Sequence, residues 1–551
     1  MLLSDNENEM NPIEKINIIN YKSFKGKFSL DLNAGINIIV GNNEAGKSTI
    51  IEAIHLALSG LLNGRYLKNE LSQYIFNKEI ETMYLESLKS ENPLPPPDIL
   101  IEIFFAGDNL PELEGDGNTS KKKAPGIRFK IEFDSQFQTD YEELIQTEVI
   151  TIPIEFYKIT WTSFARETVT VKSIPVKSVL IDSTSTRFQN GSDVYISKII
   201  KDDLVEKEIV DLSQAYRKLK EAFMADKSVE AINKKITGKA DISTKTVSIS
   251  VDLSVKNSWE TSLMTYLEGI PFHQIGKGEQ CLIKTNLALA HKKAKESNLI
   301  LIEEPENHLS HSKLNQFIKS ILAKCEGKQI IITTHSNFVA NKLNLKNLIL
   351  LNNNKQKVTL SDLKKDTYDF FEKLPGYETL RMLLCTKAIL VEGPSDELII
   401  QRAYMDKHSK ILPIENEIDI ISVGLTFKRF LEIADIIKKP VAVVTDNDGD
   451  YESKIEKKYE DYDASDTIEI FADDRVALNT LEPQLVDANK DNLKLLCEIL
   501  ELDEGEYNNE QLISDYMVAS KTECALKIFS SEKSIQYPEY INDVIEWCDE
   551  V

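Results

Sequence analysis

Several features that mark other classes of protein are absent from this chain of 551 residues. No apolar run approaches the roughly eighteen residues that span a bilayer, so we expect no membrane partner. The N-terminus has no basic segment followed by an apolar stretch, so no secretory signal is expected. The six cysteines are scattered without a C-x-x-C pair, which argues against a disulfide framework or a zinc site. These absences predict a cytoplasmic protein.

Positive charge is also scarce, because 65 Lys and Arg face 89 Asp and Glu, for a formal net charge of −24. Such a protein repels DNA on average, so any nucleic-acid contact needs a local basic surface or bridging metal ions. Long heptad repeats are missing as well, which argues against coiled-coil arms. The length predicts roughly three or four domains.

The most informative stretch that is present runs from Ile36 to Leu56 and contains the phosphate-loop pattern G-x-x-x-x-G-K-[ST]. An apolar strand is predicted at Ile36 to Val40, and a helix at Thr49 to Leu58. The backbone N–H groups of such a loop and the dipole of the helix attract anions. Lys47 is expected to reach the β and γ phosphates of ATP, and Ser48 to hold Mg²⁺. The predicted nucleotide-binding residues are Gly41, Asn42, Asn43, Glu44, Ala45, Gly46, Lys47, Ser48 and Thr49.

A second apolar strand, from Asn298 to Ile302, ends in two carboxylates. A carboxylate at that position can hold Mg²⁺ through water, and its neighbour can orient the attacking water. We assign Glu303 to the metal and Glu304 to the water. The stretch is similar to the Walker B motif of ABC-type ATPases.

Two weaker patterns also resemble ABC-type ATPases. Gly276, Gly278 and Glu279 open a helix where the signature motif stands, and the resemblance implies contact with nucleotide on another subunit. His335 follows a strand at Gln329 to Thr334 and resembles the switch histidine that senses the γ-phosphate. The two strands expected before the phosphate loop resemble the start of the RecF and SMC group.

A second α/β pattern follows. Strands are predicted at Lys387 to Val391, Ile418 to Val423 and Val441 to Val444, with a helix at Phe427 to Lys438 between the last two. Alternating strands and helices predict a parallel sheet, whose site lies just past the carboxyl ends of the strands.

Acidic residues follow the first and third of these strands. Glu392 comes after the first, and Asp446 and Asp448 come after the third, so the three should converge. Crowded carboxylates of this kind suit Mg²⁺ or Mn²⁺, which can support displacement at a phosphodiester. We also expect Ser395 or Asp396 to cap the helix that follows Glu392.

These residues resemble a Toprim domain, with VEGPSD as its first motif and DND as its second. An ABC-type ATPase followed by Toprim resembles the OLD family of nucleases (overcoming lysogenization defect), including those of Gabija and retron-associated defence. The resemblance covers nearly the whole chain from about Ile13. It adds Asp396 and Glu482 to the metal ligands and implies that Lys521 is catalytic beside Glu392, Asp446, Asp448 and Glu304.

The predicted fold class is α/β, with a RecF-like P-loop ATPase that carries a helical dimerisation insert and precedes a Rossmann-like Toprim domain. Other expectations are a mixed helical stretch at Leu61 to Lys89, strands at Val169 to Val176 and at Val247 to Leu253, and two or three amphipathic helices within about Ser192 to Ile236. The predicted divisions are a flexible tail at 1–12, ATPase at 13–190 and 246–375, the insert at 191–245, and Toprim at 380–551.

The leading functional hypothesis is an ATP-regulated endonuclease that needs a divalent metal, cuts double-stranded DNA and acts in antiphage defence. The resemblance also implies a homodimer or larger homo-oligomer, and a helicase or a retron reverse transcriptase with its RNA–DNA hybrid as possible partners. One alternative is an SMC-like DNA clamp whose Toprim domain only binds. A topoisomerase or primase is the other, but the chain after Asp448 is short and shows no DNA-gate or polymerising domain.

Overall fold

The computed structural model describes residues 12–182 (apart from 108 and 148), 188–189, 192–193, 204–237, 249, 265–290, 297–351 and 357–550. The N-terminal tail and the strand predicted at Val247 to Leu253 lie outside these residues, apart from Pro12 and Ile249. The chain forms two compact units, Met1–Asn37 with Gly46–Thr334 and Ile38–Ala45 with His335–Val551. The domain boundaries given above stay predictions.

The first unit contains most of the strands and two kinds of sheet. In chain order its strands are β1 (Ile13–Ile19), β2 (Lys27–Asp31), β3 (Ile36–Gly41, which ends in the second unit), β4 (Leu61–Leu62), β5 (Arg65–Tyr66), β6 (Ile99–Phe105), β7 (Glu114–Gly115), β8 (Ala124–Phe133), β9 (Tyr157–Ser163), β10 (Ser178–Asp182), β11 (Phe188–Gln189), β12 (Ser192–Asp193), β13 (Tyr266–Leu267), β14 (Ile270–Pro271), β15 (Leu299–Glu303) and β16 (Gln329–Thr333).

The antiparallel sheet of this unit has the order β2-β1-β6-β8-β7, and β9 also pairs with β8. The central strand β6 is buried along its whole length, which explains why its sequence is almost uniformly apolar. Strands β10, β15 and β16 are parallel neighbours. In their register Glu303 pairs with Asp182 on one side and with Thr333 on the other.

Helices of the first unit include the predicted helix after the phosphate loop and two helices in the predicted insert. They span Lys47–Ser59, Leu67–Glu70, Lys78–Ser87, Gln138–Leu144, Glu206–Met224, Lys227–Thr237, Lys277–Ala290 and His311–Lys324. Among all the helices that the structure describes, none is both long and apolar enough to cross a membrane.

Two secondary-structure expectations for this unit differ in outcome: the mixed helical stretch is largely confirmed, whereas the strand predicted at Val169 to Val176 is wrong. The stretch Leu61 to Lys89 opens with the β4–β5 hairpin before it becomes helical. Val169 to Val176 forms turns and irregular chain instead of a strand. The apolar residues Val169, Ile174 and Val176 are still buried. The alternating pattern therefore indicates burial, but it does not show that the segment pairs with another strand.

The second unit contains the strands β17 (Leu348–Leu351), β18 (Lys357–Thr359), β19 (Lys387–Val391), β20 (Ile418–Ser422), β21 (Val441–Val444) and β22 (Ile468–Phe471). Its helices span Asn337–Lys342, Lys365–Lys373, Thr379–Leu384, Pro394–Lys407, Phe427–Ile437, Lys457–Tyr459, Leu481–Ala488, Leu493–Leu500, Glu510–Ala519, Lys521–Ser530 and Glu539–Asp549. The end of β3 runs parallel to β17.

A four-stranded parallel sheet with the order β20-β19-β21-β22 dominates the C-terminal part of this unit. The chain leaves β19 towards β20 and later continues from β21 to β22 on the other side. The strand order therefore reverses between β19 and β21, and a crevice forms beyond their carboxyl ends, as expected for an open α/β sheet.

A buried arginine joins two helices that carry predicted site residues. Arg402 is only 2% exposed and lies on the helix Pro394–Lys407. Its guanidinium donates to the carbonyls of Ile528 at 3.1 Å and Phe529 at 2.9 Å, at the end of the helix that begins with Lys521. A cation at a helix C-terminus satisfies the last carbonyls and interacts favourably with the dipole. Arg402 thus fixes one helix against the other.

Asp406 holds Arg402 in place. Its carboxylate accepts from Arg402 Nε at 3.0 Å, Lys410 Nζ at 2.5 Å and the Tyr537 hydroxyl at 2.8 Å. Burial by itself would raise the pKa of Asp406, but these donors hold the pKa below its usual value. A depressed pKa means that the ionised form stabilises the fold above the unfolded pKa, and that this contribution is lost as the pH falls through the folded pKa.

We predict that Asp406→Asn lowers the Tm at neutral pH and that the difference from wild type narrows as the pH falls below about 4. Thermal unfolding measured across this pH range tests the prediction. Asp543→Asn serves as the control, because Asp543 is exposed on a helix of the same unit. A Tm difference that does not change with pH would show that charge at Asp406 contributes nothing.

Candidate functional site

The phosphate loop bends sharply between β3 and the helix Lys47–Ser59. Gly46 has a φ of 98°, and a Cβ added there would lie 2.6 Å from the Phe24 ring. Both the left-handed backbone and the lack of space therefore exclude a side chain at this position. Ser23 donates to the Thr49 hydroxyl at 3.0 Å. The turn after β1 therefore packs against the back of the loop and fixes its shape.

Lys47 begins the helix and is 5% exposed. Burial lowers the pKa of its ammonium, whereas Glu304, Glu306 and Glu303 raise it. The predicted partners from the end of β15 therefore do lie near this lysine. Ser48 is exposed at the start of the same helix.

Residue Glu304 adopts an unusual backbone conformation, with a φ of 40°. Its N–H donates to the Thr333 carbonyl at 3.1 Å, and its carboxylate accepts from the Asn307 amide at 2.8 Å. A left-handed residue without glycine's freedom is strained and is held by its surroundings. Here the chain turns so that Glu304 stays beside Lys47 just after the strand ends.

The predicted signature motif contacts the turn that follows Glu304. Gly278 lies in the first turn of the helix Lys277–Ala290, and a Cβ added to it would stand 2.3 Å from the His308 carbonyl oxygen. Only glycine permits this approach. Gly276 and Glu279 are exposed. His335 is exposed and belongs to the second unit.

The second group of predicted residues lies at the crevice of the parallel sheet. Glu392 directly follows β19, and Asp446 lies two residues after β21. Asp396 and Glu482 come from the first turns of the helices Pro394–Lys407 and Leu481–Ala488. Electrostatic interactions link Asp446 with Asp396, Glu392 and Glu482. We call these four side chains the carboxylate cluster.

Burial and mutual repulsion raise the pKa values within this cluster. Burial is the largest cause at Asp446, followed by Asp396, Glu392 and Glu482, and together they raise its pKa to about 8. Burial likewise raises the pKa of Asp396 to about 6, against the opposing effect of the Gly393 N–H. Such shifts are characteristic of carboxylates gathered at functional sites.

Individual protein donors hold most members of the cluster. The Thr445 hydroxyl donates to Glu392 at 2.6 Å, and the Gly393 N–H donates to Asp396 at 2.9 Å. The last contact corrects the predicted cap: Gly393 is the N-cap, Pro394 opens the helix, and Asp396 lies in its first turn. Pro394 is favoured at that first position, because a proline lacks the N–H that would be unpaired there.

Lys521 meets the cluster from the start of its own helix. Its ammonium lies 3.1 Å from Glu482 Oε2 and also interacts with Asp446 and Asp396. Glu482 is 3% exposed, whereas Lys521 keeps 45% of its side chain exposed. A buried carboxylate is therefore paired with a lysine that solvent and substrate can reach.

Asp448 is the last acid of the DND motif. It has a φ of 49° and a half-exposed carboxylate 3.3 Å from Lys454 Nζ. The structure thus brings Glu392, Asp396, Asp446, Glu482 and Lys521 together, and it pairs Asp448 with Lys454.

Sequence reasoning missed Asn447, the middle residue of the DND motif. Asn447 is fully buried, and its amide donates to the carbonyls of Asp473 at 2.8 Å and Arg475 at 3.2 Å. Its own Oδ1 accepts from the Gly449 N–H at 2.8 Å. An asparagine between two acids indicates a loop that side-chain hydrogen bonds to the backbone hold in shape. Thr445 was missed as well, although a hydroxyl at a strand end beside acids is a candidate donor.

The donor set of the cluster fits a divalent cation, because carboxylate oxygens are the ligands that Mg²⁺ and Mn²⁺ prefer, and a cation between them would relieve their repulsion. Within the described part of the chain, no group of three or more His, Cys, Asp or Glu side chains is already arranged as a metal site. Glu392, Asp396, Asp446 and Glu482 are the residues that would hold such an ion.

Comparison with protein families assigns both halves of the chain. Residues 15–258 match the family described as AAA domain, and residues 383–448 match the family described as overcoming lysogenization defect protein-like, TOPRIM domain. The chain joins an AAA ATPase domain to an OLD-like TOPRIM domain. This pairing confirms the predicted resemblance and the predicted fold class.

Among curated proteins, the chain is 23% identical to endonuclease GajA of Bacillus cereus (strain HuB5-5), over 86% of this chain and 81% of that protein. Among solved structures it is similar to an Smc head bound to the C-terminal winged-helix domain of ScpA, at 18% identity and a TM-score of 0.32, over 64% of this chain and 99% of that one. The recombination mediator RecF with ATP gives 11% identity and a TM-score of 0.31, over 61% and 94%. These TM-scores are too low to support an argument about this chain.

We predict that Asn447→Asp destabilises the loop that carries Asp446, because a carboxylate would face the carbonyls of Asp473 and Arg475 and could donate to neither. The expected loss is roughly 3 kcal/mol, the cost of leaving a buried polar group unpaired beside a new charge. Urea unfolding measures it. Asn508→Asp is the control, since Asn508 is exposed and donates only to Gly505 at 3.3 Å. Equal stability of the two variants would contradict the anchoring role.

Proposed function

We propose that this protein is a metal-dependent DNA endonuclease whose cutting centre is the carboxylate cluster with Lys521. The observation that carries the proposal is the convergence of Glu392, Asp396, Asp446 and Glu482 at the crevice of the TOPRIM sheet, where burial and repulsion raise the pKa of Asp446 to about 8. The relative named endonuclease GajA supports the same reading.

The residues divide the chemistry of phosphodiester hydrolysis between them. A Mg²⁺ or Mn²⁺ ion bound by the cluster supplies a Lewis acid that activates water and stabilises the oxygens of the displacement. Lys521, paired with Glu482 yet half-exposed, neutralises charge that develops on the scissile phosphate. Thr445 orients the Glu392 carboxylate through its hydroxyl. Asp448, although paired with Lys454, stays a candidate ligand at the edge of the site.

ATP is proposed to regulate this centre through a chain of hydrogen bonds within the second unit. Asn42 of the phosphate loop donates to the Leu384 carbonyl at 3.4 Å, at the end of the helix Thr379–Leu384. Asn337, two residues after His335, accepts from the Leu380 N–H at 2.7 Å. Both the loop and the segment after the predicted switch histidine therefore contact the helix that leads directly into β19.

Asn341 strengthens this connection. It is fully buried, donates to the Tyr377 carbonyl at 2.8 Å and accepts from the Thr379 hydroxyl at 2.7 Å. Arg381 lies on the helix Thr379–Leu384, as Thr379 does. Its guanidinium donates to Asp419 of β20 at 2.9 Å and lies 3.9 Å from Glu397, the residue after Asp396. A shift of Asn42 or Asn337 on nucleotide binding would thus move the segment that positions Glu392 and Asp396.

A homodimer or larger assembly that acts in defence against phage completes the proposal. Support for assembly comes from the two insert helices, Glu206–Met224 and Lys227–Thr237, which expose large apolar side chains. Val210, Leu219, Phe223 and Ile232 are between 40% and 60% exposed. Apolar residues in this number on neighbouring helices favour burial against another protein surface. The helicase and retron partners implied by the resemblance stay predictions.

We predict that the purified protein nicks or linearises supercoiled DNA with Mg²⁺ or Mn²⁺ and that Glu392→Ala lowers the rate by at least about a hundredfold, because a ligand that stabilises the transition-state charge is lost. Agarose gels over time, with and without ATP, measure the rate. Glu469→Ala is the matched control, since Glu469 is an exposed carboxylate on β22 of the same sheet.

Two outcomes would contradict the proposed nuclease activity, and a third would contradict the proposed site. Religated topoisomers in place of nicks would indicate a topoisomerase. DNA binding without any cutting, unchanged when Asp446 is replaced by alanine, would favour a clamp with a non-catalytic TOPRIM domain. Cutting that is equal in Glu392→Ala and wild type would mean that the catalytic residues lie elsewhere.

We predict that Thr379→Val weakens the effect of ATP on cutting while leaving ATP binding intact. Valine keeps the shape of threonine but cannot donate to Asn341, and a loss of about 1 kcal/mol changes the ratio of rates with and without ATP roughly fivefold. Thr386→Val is the control, because its hydroxyl contacts Glu417 outside this chain of bonds. Lys47→Ala, which should weaken ATP binding itself, separates loss of nucleotide from loss of coupling. An unchanged ratio in Thr379→Val would refute the route.

A further inference from the structure

Three lysines gather near Glu392 and Asp448. Lys454 lies 3.3 Å from Asp448, and Lys458 interacts with Glu392 and Asp448. Lys458 also interacts unfavourably with Lys454 and Lys428. Like charges are thus concentrated beside the carboxylate cluster, in a protein whose net charge is −24.

The local structure fixes this arrangement. Glu452–Glu456, immediately after the DND loop, is a single turn of π-helix, a rare form that is frequent at functional sites. The next helical turn places the Lys458 ammonium 4.9 Å from the Tyr459 ring centre and 5.5 Å from that of Phe427. Lys428 follows Phe427 on its helix, so one aromatic contact brings the two segments and their lysines together.

The acidic residues nearby do not fully neutralise the charges of these three lysines. Lys428 keeps 49% of its side chain exposed and its nearest acid, Asp461, is 3.8 Å away and 75% exposed. Lys454 is 50% exposed, lies beside a half-exposed Asp448 and also interacts with the exposed Asp450. Pairs of this exposure contribute little to stability. Burial lowers the pKa of Lys458, and the neighbouring lysines add to that effect against Glu392 and Asp448. Holding these cations close together therefore costs free energy that an anionic partner would recover.

We propose that Lys428, Lys454 and Lys458 form a phosphate-binding rim that holds the DNA backbone next to the phosphodiester being cut. The proposal rests on the nuclease function and names the surface by which an acidic protein meets DNA. Lys521 lies 3.1 Å from Glu482 and interacts with Asp446 and Asp396, whereas Lys458 interacts with Glu392 and Asp448. A strand lying across the carboxylates would therefore meet lysines from separate segments of the chain, which offsets the repulsion between its phosphates and the cluster.

The test measures the affinity of the full-length protein for a fluorescent DNA duplex, in Ca²⁺ to limit cutting, over a series of KCl concentrations. Each phosphate contact contributes about 0.9 to the slope of log K against log salt. We expect Lys454→Gln and Lys458→Gln each to weaken binding and reduce the slope by about this amount, and the variant with all three lysines replaced by glutamine to reduce it by more than twice as much.

Two controls sharpen the measurement. Lys457→Gln alters a neighbouring lysine that pairs with the exposed Glu452 at 2.6 Å. It should leave the slope close to that of wild type. Lys454→Arg keeps the charge and should keep the slope. Thermal unfolding of each variant confirms that it is folded.

An unchanged affinity and slope in the triple variant would overturn the rim. A lower Tm with an unchanged slope would also overturn it, since the lysines would then act only as counter-charges for the carboxylates. Cutting of plasmid by wild type and its loss in Glu392→Ala report on the nuclease, whereas the salt slope reports on the lysines. Either proposal can therefore fail without the other.

Discussion

Repulsion among buried carboxylates is the constraint on which the C-terminal half of this structure depends. Four acids converge at one edge of a parallel sheet, and burial together with their mutual repulsion raises the pKa of Asp446 to about 8. Bringing four carboxylates together is unfavourable by itself, so contacts with other groups must offset their repulsion. Thr445, the Gly393 N–H and Lys521 do so directly. Arg402 does so at a distance, because it joins the helix after Glu392 to the helix that begins with Lys521.

The elements that carry these acids were predictable from the sequence for a physical reason. A parallel strand covered on both faces must be apolar throughout, and an acid that ends such a run marks the edge of the sheet. Glu303, Glu392 and Asp446 all follow this rule, and the strands predicted at Lys387–Val391 and Val441–Val444 have the observed bounds. Strand ends therefore identified both candidate sites before any contact was known.

What could not be predicted depends on contacts between distant residues. The cap of the helix after Glu392 depends on where the chain turns, and Gly393 took the place expected for Ser395 or Asp396. Val169 to Val176 has the pattern of a strand but forms turns and irregular chain, since burial alone produces the same alternation. The ion pair of Asp448 with Lys454 and the buried amide of Asn447 also depend on contacts that adjacent positions in a sequence do not reveal.

The position of the segment before β19 links the two chemistries. The predicted nucleotide site is the phosphate loop, and the carboxylates follow β19. One short helix, Thr379–Leu384, contacts Asn42 of the phosphate loop, Asn337 and, through Arg381, Asp419 of β20. Its contacts are the half-buried amides of Asn42 and Asn337, the buried amide of Asn341 and an ion pair, which have preferred geometries and tolerate small displacements poorly. A bond network of this kind favours discrete arrangements over gradual deformation. The same helix that anchors β20 through Arg381 is therefore suited to pass a change at Asn42 or Asn337 to Glu392, as the proposed regulation by ATP requires.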